Sequence, residues 1–192
     1  LQSRIRPHFL FNSMNIIASL IAVDPDTAER VVEDLSDLFR ASLNEAGNQV
    51  PLKQELDLCQ RYIRIEQLRL GNRLQVEWDT PTLPDDSYIP LLTLQPLVEN
   101  AIYHGVQSRM EGGTVKISVT IEGEKIKVRI SNPFHPDASD HNQKGNRMAL
   151  ENIRHRLQTL YGDNANLTNS ISNDIYCAEL TLPLHSKKAE LL

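Results

Sequence analysis

Three stretches of this 192-residue chain carry side chains able to do chemistry. The first is Arg6-Pro7-His8-Phe9-Leu10-Phe11-Asn12, with the helical run that follows it to Leu20. At about 100° per residue, His8, Asn12, Asn15 and Ser19 fall on one narrow stripe. Nearly everything else is apolar. Phe9, Ile16 and Leu20 flank the stripe, Leu10, Ile17 and Ile21 lie opposite, Met14, Ala18 and Phe11 close the far side, and Ser13 is the one polar intruder. A helix apolar almost all round is buried by other helices, so this one belongs in a bundle with a thin polar window that holds a histidine. Spacing alone leaves two roles for His8: a reactive imidazole at the window, or a structural one hydrogen-bonded to Asn12 in a buried seam.

The second stretch is a predicted helix over 93–106, on which Asn100 and His104 stand four apart and share a face with Thr93 and Gln107. An amide oxygen is a hard ligand suited to Mg²⁺, which binds through one or two protein oxygens plus phosphates and water. Alone, an Asn-x-x-x-His spacing is more often a solvated face. The third is Lys144-Gly145-Asn146-Arg147, just ahead of a predicted helix over 148–160. Helix N-termini bind phosphate through free N–H groups, yet one glycine is equally a turn. Arg147 stands at that helix start; Arg154 and Arg156 either meet phosphates or cover the helix surface. There is no GxxxxGK(S/T) cradle, no hydrolase elbow, no HExxH and no paired-cysteine metal site.

The elements that must position these groups follow from periodicity and punctuation. The first helix ends near Val23, and Asp24-Pro25 restarts the chain with a capping carboxylate and a first-turn proline. The second helix presents Ala28, Val31, Val32, Leu35, Leu38, Phe39, Ser42 and Leu43 on one face, with Glu29, Arg30, Glu33, Asp34, Asp37 and Arg40 opposite. A two-helix hairpin cannot cover the first helix, so a second copy is expected to complete a four-helix bundle. The alternative is a hairpin packed on the rest of its own chain.

Gly47 and Asn48 mark a linker, and a third helix over 52–70 stops at Gly71-Asn72. Strands are expected over 74–78, 115–121, 126–131, 166–172 and 175–182, with Gly123 in the turn between the second and third. Residues 133–144 read as a long surface loop, in keeping with a functional lid. The fold class is therefore α+β: a helical hairpin, then an α/β sandwich with helices on one sheet face. The domains are expected at 1–48 and 49–185, with a tail over 186–192.

Composition narrows the rest. A net charge of −5 with acidic and basic residues mixed argues against nucleic-acid binding and against a polybasic membrane patch. Cys59 and Cys177, far apart in apolar surroundings, read as reduced core thiols. No run is apolar enough to span a bilayer, and no signal peptide is present. The chain begins at Leu1, already entering a helix, and reads as a piece of a longer protein.

Two motifs add a resemblance. Arg4-Ile5-Arg6-Pro7-His8-Phe9-Leu10-Phe11-Asn12-Ser13-Met14-Asn15 resembles the phosphoacceptor box of the LytS-type sensor histidine kinases. Leu94-Gln95-Pro96-Leu97-Val98-Glu99-Asn100-Ala101-Ile102-Tyr103-His104-Gly105 looks like their N box. Val50-Pro51-Leu52, Glu55-Leu56, Tyr62-Ile63, Ile65-Glu66 and Arg69 match the intervening helix, and Asn152-Ile153-Arg154-His155-Arg156-Leu157 the end of the last glycine box. Within the family the chain is similar to the alginate and twitching-motility sensor kinases of pseudomonads. The resemblance implies a Bergerat-type ATP-binding sandwich and a dimeric bundle. It further implies that His8 takes the γ-phosphoryl of ATP and passes it to an aspartate of a response regulator, typically one with a LytTR-type DNA-binding domain. Asn100 would hold Mg²⁺, and His104 would lie beside the phosphates. The chain would be the cytoplasmic portion of a bacterial inner-membrane protein, with its membrane segment upstream.

The sequence departs from the family pattern in two places. Where an Asp-x-Gly-x-Gly adenine motif is usual, Ile130-Ser131-Asn132-Pro133 puts Asn132 in the aspartate's place, an acceptor weaker by about 1 kcal/mol for want of charge. The next glycine box reads Gly145-Asn146-Arg147-Met148-Ala149-Leu150, so Arg147 and Ala149 replace glycines. His8 is followed by Phe9 and not by an acid, so no neighbouring general base is evident. The expected function is an ATP-dependent protein-histidine kinase. The alternative is a dimeric scaffold that binds the regulator without useful ATP turnover.

Overall fold

Proline suits the first turn of a helix because its missing N–H has no partner there anyway. In the computed structural model, which describes residues 7–43, 49–134 and 143–186, both α1 (Pro7–Leu20) and α2 (Pro25–Leu43) begin on one. Asp24 caps α2 as its sequence suggests: the Thr27 N–H donates to Asp24 Oδ1 at 3.1 Å, and the Thr27 side chain, with that N–H, holds the carboxyl below its ordinary pKa. The polar intruder in α1 is accounted for locally, since the fully buried Ser13 hydroxyl donates to the Phe9 carbonyl at 2.7 Å.

The hairpin packs on its own chain. Val31, Leu35 and Leu38 are buried within the same core as α3 (Leu52–Leu70). The Phe9 ring sits against the Tyr62 ring, centroids 4.7 Å apart and tilted by 33°. Asp34, expected on the outward face of α2, is instead buried: it receives Arg64 through two N–H groups at 2.9 and 2.7 Å and Arg61 at 3.1 Å. Helical periodicity could not foresee this, because the cations that pair with it come from another helix.

One face of the hairpin stays open. Phe11 is 68% exposed, Leu43 82%, and Met14, Ile21 and Val32 also face solvent. Within one chain α1 is therefore covered on part of its surface, chiefly by α2 and α3, which agrees with the expectation that its own hairpin cannot cover it.

Asp34 offers a direct test of the hairpin's seat. Asp34→Ala should cost about 2 kcal/mol of unfolding free energy, the loss of charge-assisted bonds to two arginines. Asp37→Ala, whose partner Arg61 keeps other acceptors, should cost under about 1 kcal/mol. Urea melts of both variants check the difference, and equal losses would contradict a specific seat.

The remaining elements are β1 (Gln49–Pro51), β2 (Leu74–Asp79), β3 (Tyr88–Pro90), α4 (Leu94–Ile102), β4 (Gly113–Glu122), β5 (Lys125–Pro133), α5 (Gln143–Tyr161), β6 (Asn166–Ser172) and β7 (Ile175–Pro183). Strands β2-β4-β5-β7-β6 form one sheet, parallel at β2–β4 and antiparallel elsewhere. Inward residues Val115, Ile117 and Val119 of β4, and Ile126, Val128 and Ile130 of β5, meet α3, α4 and α5 on one face. The other face carries ion pairs such as Arg129–Glu179 and Lys116–Glu77. This is the helices-on-one-face sandwich that the element order predicts.

Three expectations need correction. Short β1 and β3, paired antiparallel through Val50 and Ile89, are too brief and too proline-rich to show a period. The helix after Ile102 continues as a π turn over Tyr103–Gln107. And α5 begins at Gln143, ahead of Met148, because polar first-turn residues carry no apolar period that would reveal them. Of the 133–144 loop, residues 135–142 lie outside the described residues, as do 44–48 at the expected domain boundary and 187–192 of the tail. Cys59 and Cys177 are free thiols, and burial pushes both above their ordinary pKa, Cys59 well above.

Candidate functional site

The helix α4 that bears Asn100 begins at a corner held from two sides. Both oxygens of Glu55, a residue with no exposure on the buried face of α3, accept backbone N–H groups. Oε1 takes that of Leu92, and Oε2 those of Thr93 and Leu94 at 3.1 and 2.9 Å. Free N–H groups at a helix start, reinforced by the helix dipole, bind a carboxylate well. Burial pushes the Glu55 carboxyl above its ordinary pKa, with the three amides and Arg156 pulling it back. From α5, Arg156 donates to the Leu91 and Leu92 carbonyls at 2.8 and 2.9 Å. Leu92 between them adopts φ +58°, a conformation that costs a leucine about 1–2 kcal/mol. Arg156 and Arg154 are thereby accounted for without phosphate: Arg154 donates to the Leu167 carbonyl at 2.9 Å and to Asn169 at 2.8 Å.

Asn100 is 8% exposed, so it does not belong to a solvated face. Thr93, expected beside it, is turned inward and donates to the Pro90 carbonyl at 2.6 Å. His104 lies in the π turn, its ring edge-on to Tyr103 at 5.0 Å. π turns inside helices concentrate at functional sites.

Asn132 continues the inward row Ile126, Val128, Ile130 of β5, and only 3% of it is exposed. A β-carbon added to Gly105 would fall 2.5 Å from both Cβ and Nδ2 of Asn132. The glycine therefore lets the end of the Asn100 helix press on the end of β5. The Asn132 Nδ2 donates to the Pro133 carbonyl at 2.7 Å, which leaves Oδ1 as the atom able to accept a hydrogen bond from a ligand. Gly145 is the third residue of α5, among the first four N–H groups that lack a helical partner. For Gly145 and Arg147 only the backbone is described.

His8 is exposed in the first turn of α1 and lines a cavity of about 40 Å³ with Asn12, Tyr62, Glu66, Arg69, Tyr103 and Gln107. The polar window of α1 thus opens toward the end of the Asn100 helix. Spacing missed Glu55 and Glu66 as participants, although a signal was there. They stand on one stripe of α3 with Cys59, Ile63 and Leu70, and a carboxylate on an apolar stripe must find donors. Among the described residues no three His, Cys, Asp or Glu side chains cluster as a metal site. A single buried amide oxygen suits Mg²⁺ that keeps phosphate and water as its other ligands.

Comparison with known proteins fits this geometry. Residues 1–74 match the histidine kinase family model. Sensor histidine kinase YpdA of Escherichia coli K12 is 39% identical over 171 residues, 85% of this chain and 30% of YpdA. Sensor histidine kinase BtsS of the same strain is 34% identical over 184 residues, 96% of this chain and 32% of BtsS. Sensor protein LytS of Oceanobacillus iheyensis is 34% identical over 184 residues, covering 87% of this chain and 31% of LytS. The chain spans about a third of the length of these curated relatives. Among solved structures, Acinetobacter baumannii histidine kinase AdeS superposes with TM-score 0.53 at 14% identity, over 93% of this chain and 96% of AdeS. The catalytic domain of histidine kinase ThkA gives 0.53 at 15% identity, over 73% of this chain and 96% of that domain.

Helices over one face of a mixed five-stranded sheet, entered through a helical hairpin, make this the fold of a histidine kinase core. More narrowly, the chain belongs to the LytS-type sensor histidine kinases over the portion it spans. No helix among the described residues is long and apolar enough to cross a membrane.

Proposed function

We propose that this chain is the kinase portion of a two-component sensor: it transfers the γ-phosphoryl of ATP to His8, and from there to an aspartate of a response regulator. The observation that carries this is the position of His8, whose window opens on the end of the helix that bears Asn100 and His104. Phosphoryl transfer depends mainly on positioning and charge neutralisation, and the chain supplies both kinds of group.

The Asn132 Oδ1 accepts from the adenine amino group, and the backbone of Gly145 with the charge of Arg147 serves the phosphates. Asn100 holds Mg²⁺, which when bound neutralises phosphate charge, with His104 beside it. The glutamate-capped corner fixes the angle of α4 and therefore the position of Asn100.

The open face of the hairpin fits a second copy. Met14, Ile17, Val32, Phe39 and Leu43 line an apolar groove of about 510 Å³, and matching two such faces completes a four-helix bundle. The domain division at 48/49 separates this dimerising hairpin from the ATP-binding sandwich. The regulator partner is of the kind with a LytTR-type DNA-binding domain, and attachment to the inner membrane runs through a segment upstream. The relatives, named as sensor histidine kinases, lend no support to the scaffold alternative, in which the dimer would bind the regulator without useful ATP turnover.

Incubation with labelled Mg-ATP tests the proposal. Acid-labile, base-stable label should appear on the wild-type chain and vanish in His8→Gln. Asn100→Ala should abolish labelling while the dimer and its melting transition stay intact. Absence of label together with undetectable nucleotide binding by calorimetry would overturn it.

A further inference from the structure

His8 is followed by Phe9, so a carboxylate to orient the imidazole has to come from elsewhere in the fold. The Phe9–Tyr62 ring contact sets the register of α1 on α3, and Glu66 lies one turn beyond Tyr62 on the same face. Glu66 is 2% exposed and lines the small cavity that His8 also lines. Arg69 holds the carboxylate from behind, Nε to Oε1 at 3.2 Å and Nη2 to Oε2, while the same Nη2 donates to Gln107 Oε1 at 2.9 Å. An ionised carboxylate has about four acceptor positions, and Arg69 occupies two of them. A cavity of about 40 Å³ has room for one or two waters, so an imidazole turned into it can reach the carboxylate directly or through one water.

Resting on the kinase function proposed above, we infer that Glu66 is the positioning residue of His8. Its carboxylate accepts the N–H of the imidazole and so leaves the other ring nitrogen unprotonated and aimed outward. In the transfer, that nitrogen forms the N–P bond. The bond from phosphorus to the bridging oxygen breaks, and its electron pair leaves with ADP. The ring keeps its proton on the nitrogen facing Glu66, and the positive charge that develops on the imidazole meets the carboxylate. Arg69 and Gln107 tie this arrangement to the end of the helix that carries Asn100.

Two measurements on the full chain test the inference. In Glu66→Gln, the labelling rate of His8 by Mg-ATP should fall roughly 100-fold, the scale of a well-placed proton-handling group, with nucleotide affinity within about twofold of wild type. Glu66→Asp, which keeps the charge and shortens the arm, should fall between the two. Carbethoxylation by diethylpyrocarbonate near pH 8 reads the nucleophilicity of His8 without any ATP. It should slow several-fold at His8 in Glu66→Gln while the exposed His155 and His185 react at unchanged rates. If the wild type takes no label yet His8 carbethoxylation still depends on Glu66, the pairing stands and the kinase function falls. Wild-type labelling and carbethoxylation rates in Glu66→Gln would overturn the inference, as would a labelling loss that only parallels lost nucleotide affinity.

Discussion

Glu55→Ala is expected to cost about 3–5 kcal/mol, a large part of the 5–15 kcal/mol that holds a domain together. Three backbone N–H groups at the start of α4 would lose their acceptor in a buried site, and Arg156 would lose its nearby counter-charge. The strained Leu92 then keeps its core packing and the bonds from Arg156 to the Leu91 and Leu92 carbonyls. Circular dichroism melts should show a much lower midpoint, and nucleotide binding should fall in step with folding.

Glu55→Gln keeps one acceptor but turns an NH₂ toward amide donors, so it should lie between wild type and alanine. It also separates charge from shape through pH. Burial raises the Glu55 pKa, so its own contribution to stability is fully present below the unfolded value of about 4.3 and declines as pH rises through the folded value. The stability curve of Glu55→Gln should lack that decline. Identical curves would mean that Glu55 is not the titrating group.

Gly105→Ala is the second large effect, and it acts on the ligand site and not on the fold as a whole. The new methyl would sit 2.5 Å from Asn132 Cβ, a separation real side chains do not tolerate, so either the π turn or the end of β5 must move. On the adenine role proposed for it, a displaced Asn132 would no longer present its Oδ1 to the ligand. Nucleotide affinity should fall tenfold or more, while the melting free energy drops by about 1–3 kcal/mol. Asn132→Ala should weaken nucleotide binding without the steric cost. Restored affinity in the double variant Gly105→Ala/Asn132→Ala, relative to Gly105→Ala, would localise the clash; unchanged affinity in Asn132→Ala would remove Asn132 from the adenine site.

Much of this architecture was legible in the chain because burial leaves a period. The face of α2, the bounds of α3, the hairpin turns at Gly123 and at 173–174 and the inward rows of β4 and β5 all follow from apolar spacing and turn residues. His8 was visible as a polar residue on an otherwise apolar helix, and Asn100 through its spacing to His104 and the resemblance of its stretch to an N box. What stayed hidden was polar pairing across distance. Asp34 looked like surface until Arg61 and Arg64 arrived from α3, Arg156 stood open between phosphate and helix surface until it met the Leu91 and Leu92 carbonyls, and Glu66 drew no role until α1 was laid beside it. A sequence shows that a buried charge needs a partner, but not which element brings it.

The corner at Leu91–Leu92 also bears on how the protein is made. Arg156 reaches it across 65 and 64 positions of chain, and Glu55 from 37 to 39 positions on the other side. During synthesis the Asn100 segment leaves the ribosome well before the arginine that steadies its entry has been added. The nucleotide site therefore completes late, only after α5 has docked, and a nascent chain halted before Arg156 should hold its hairpin and α3 without yet being able to grip ATP.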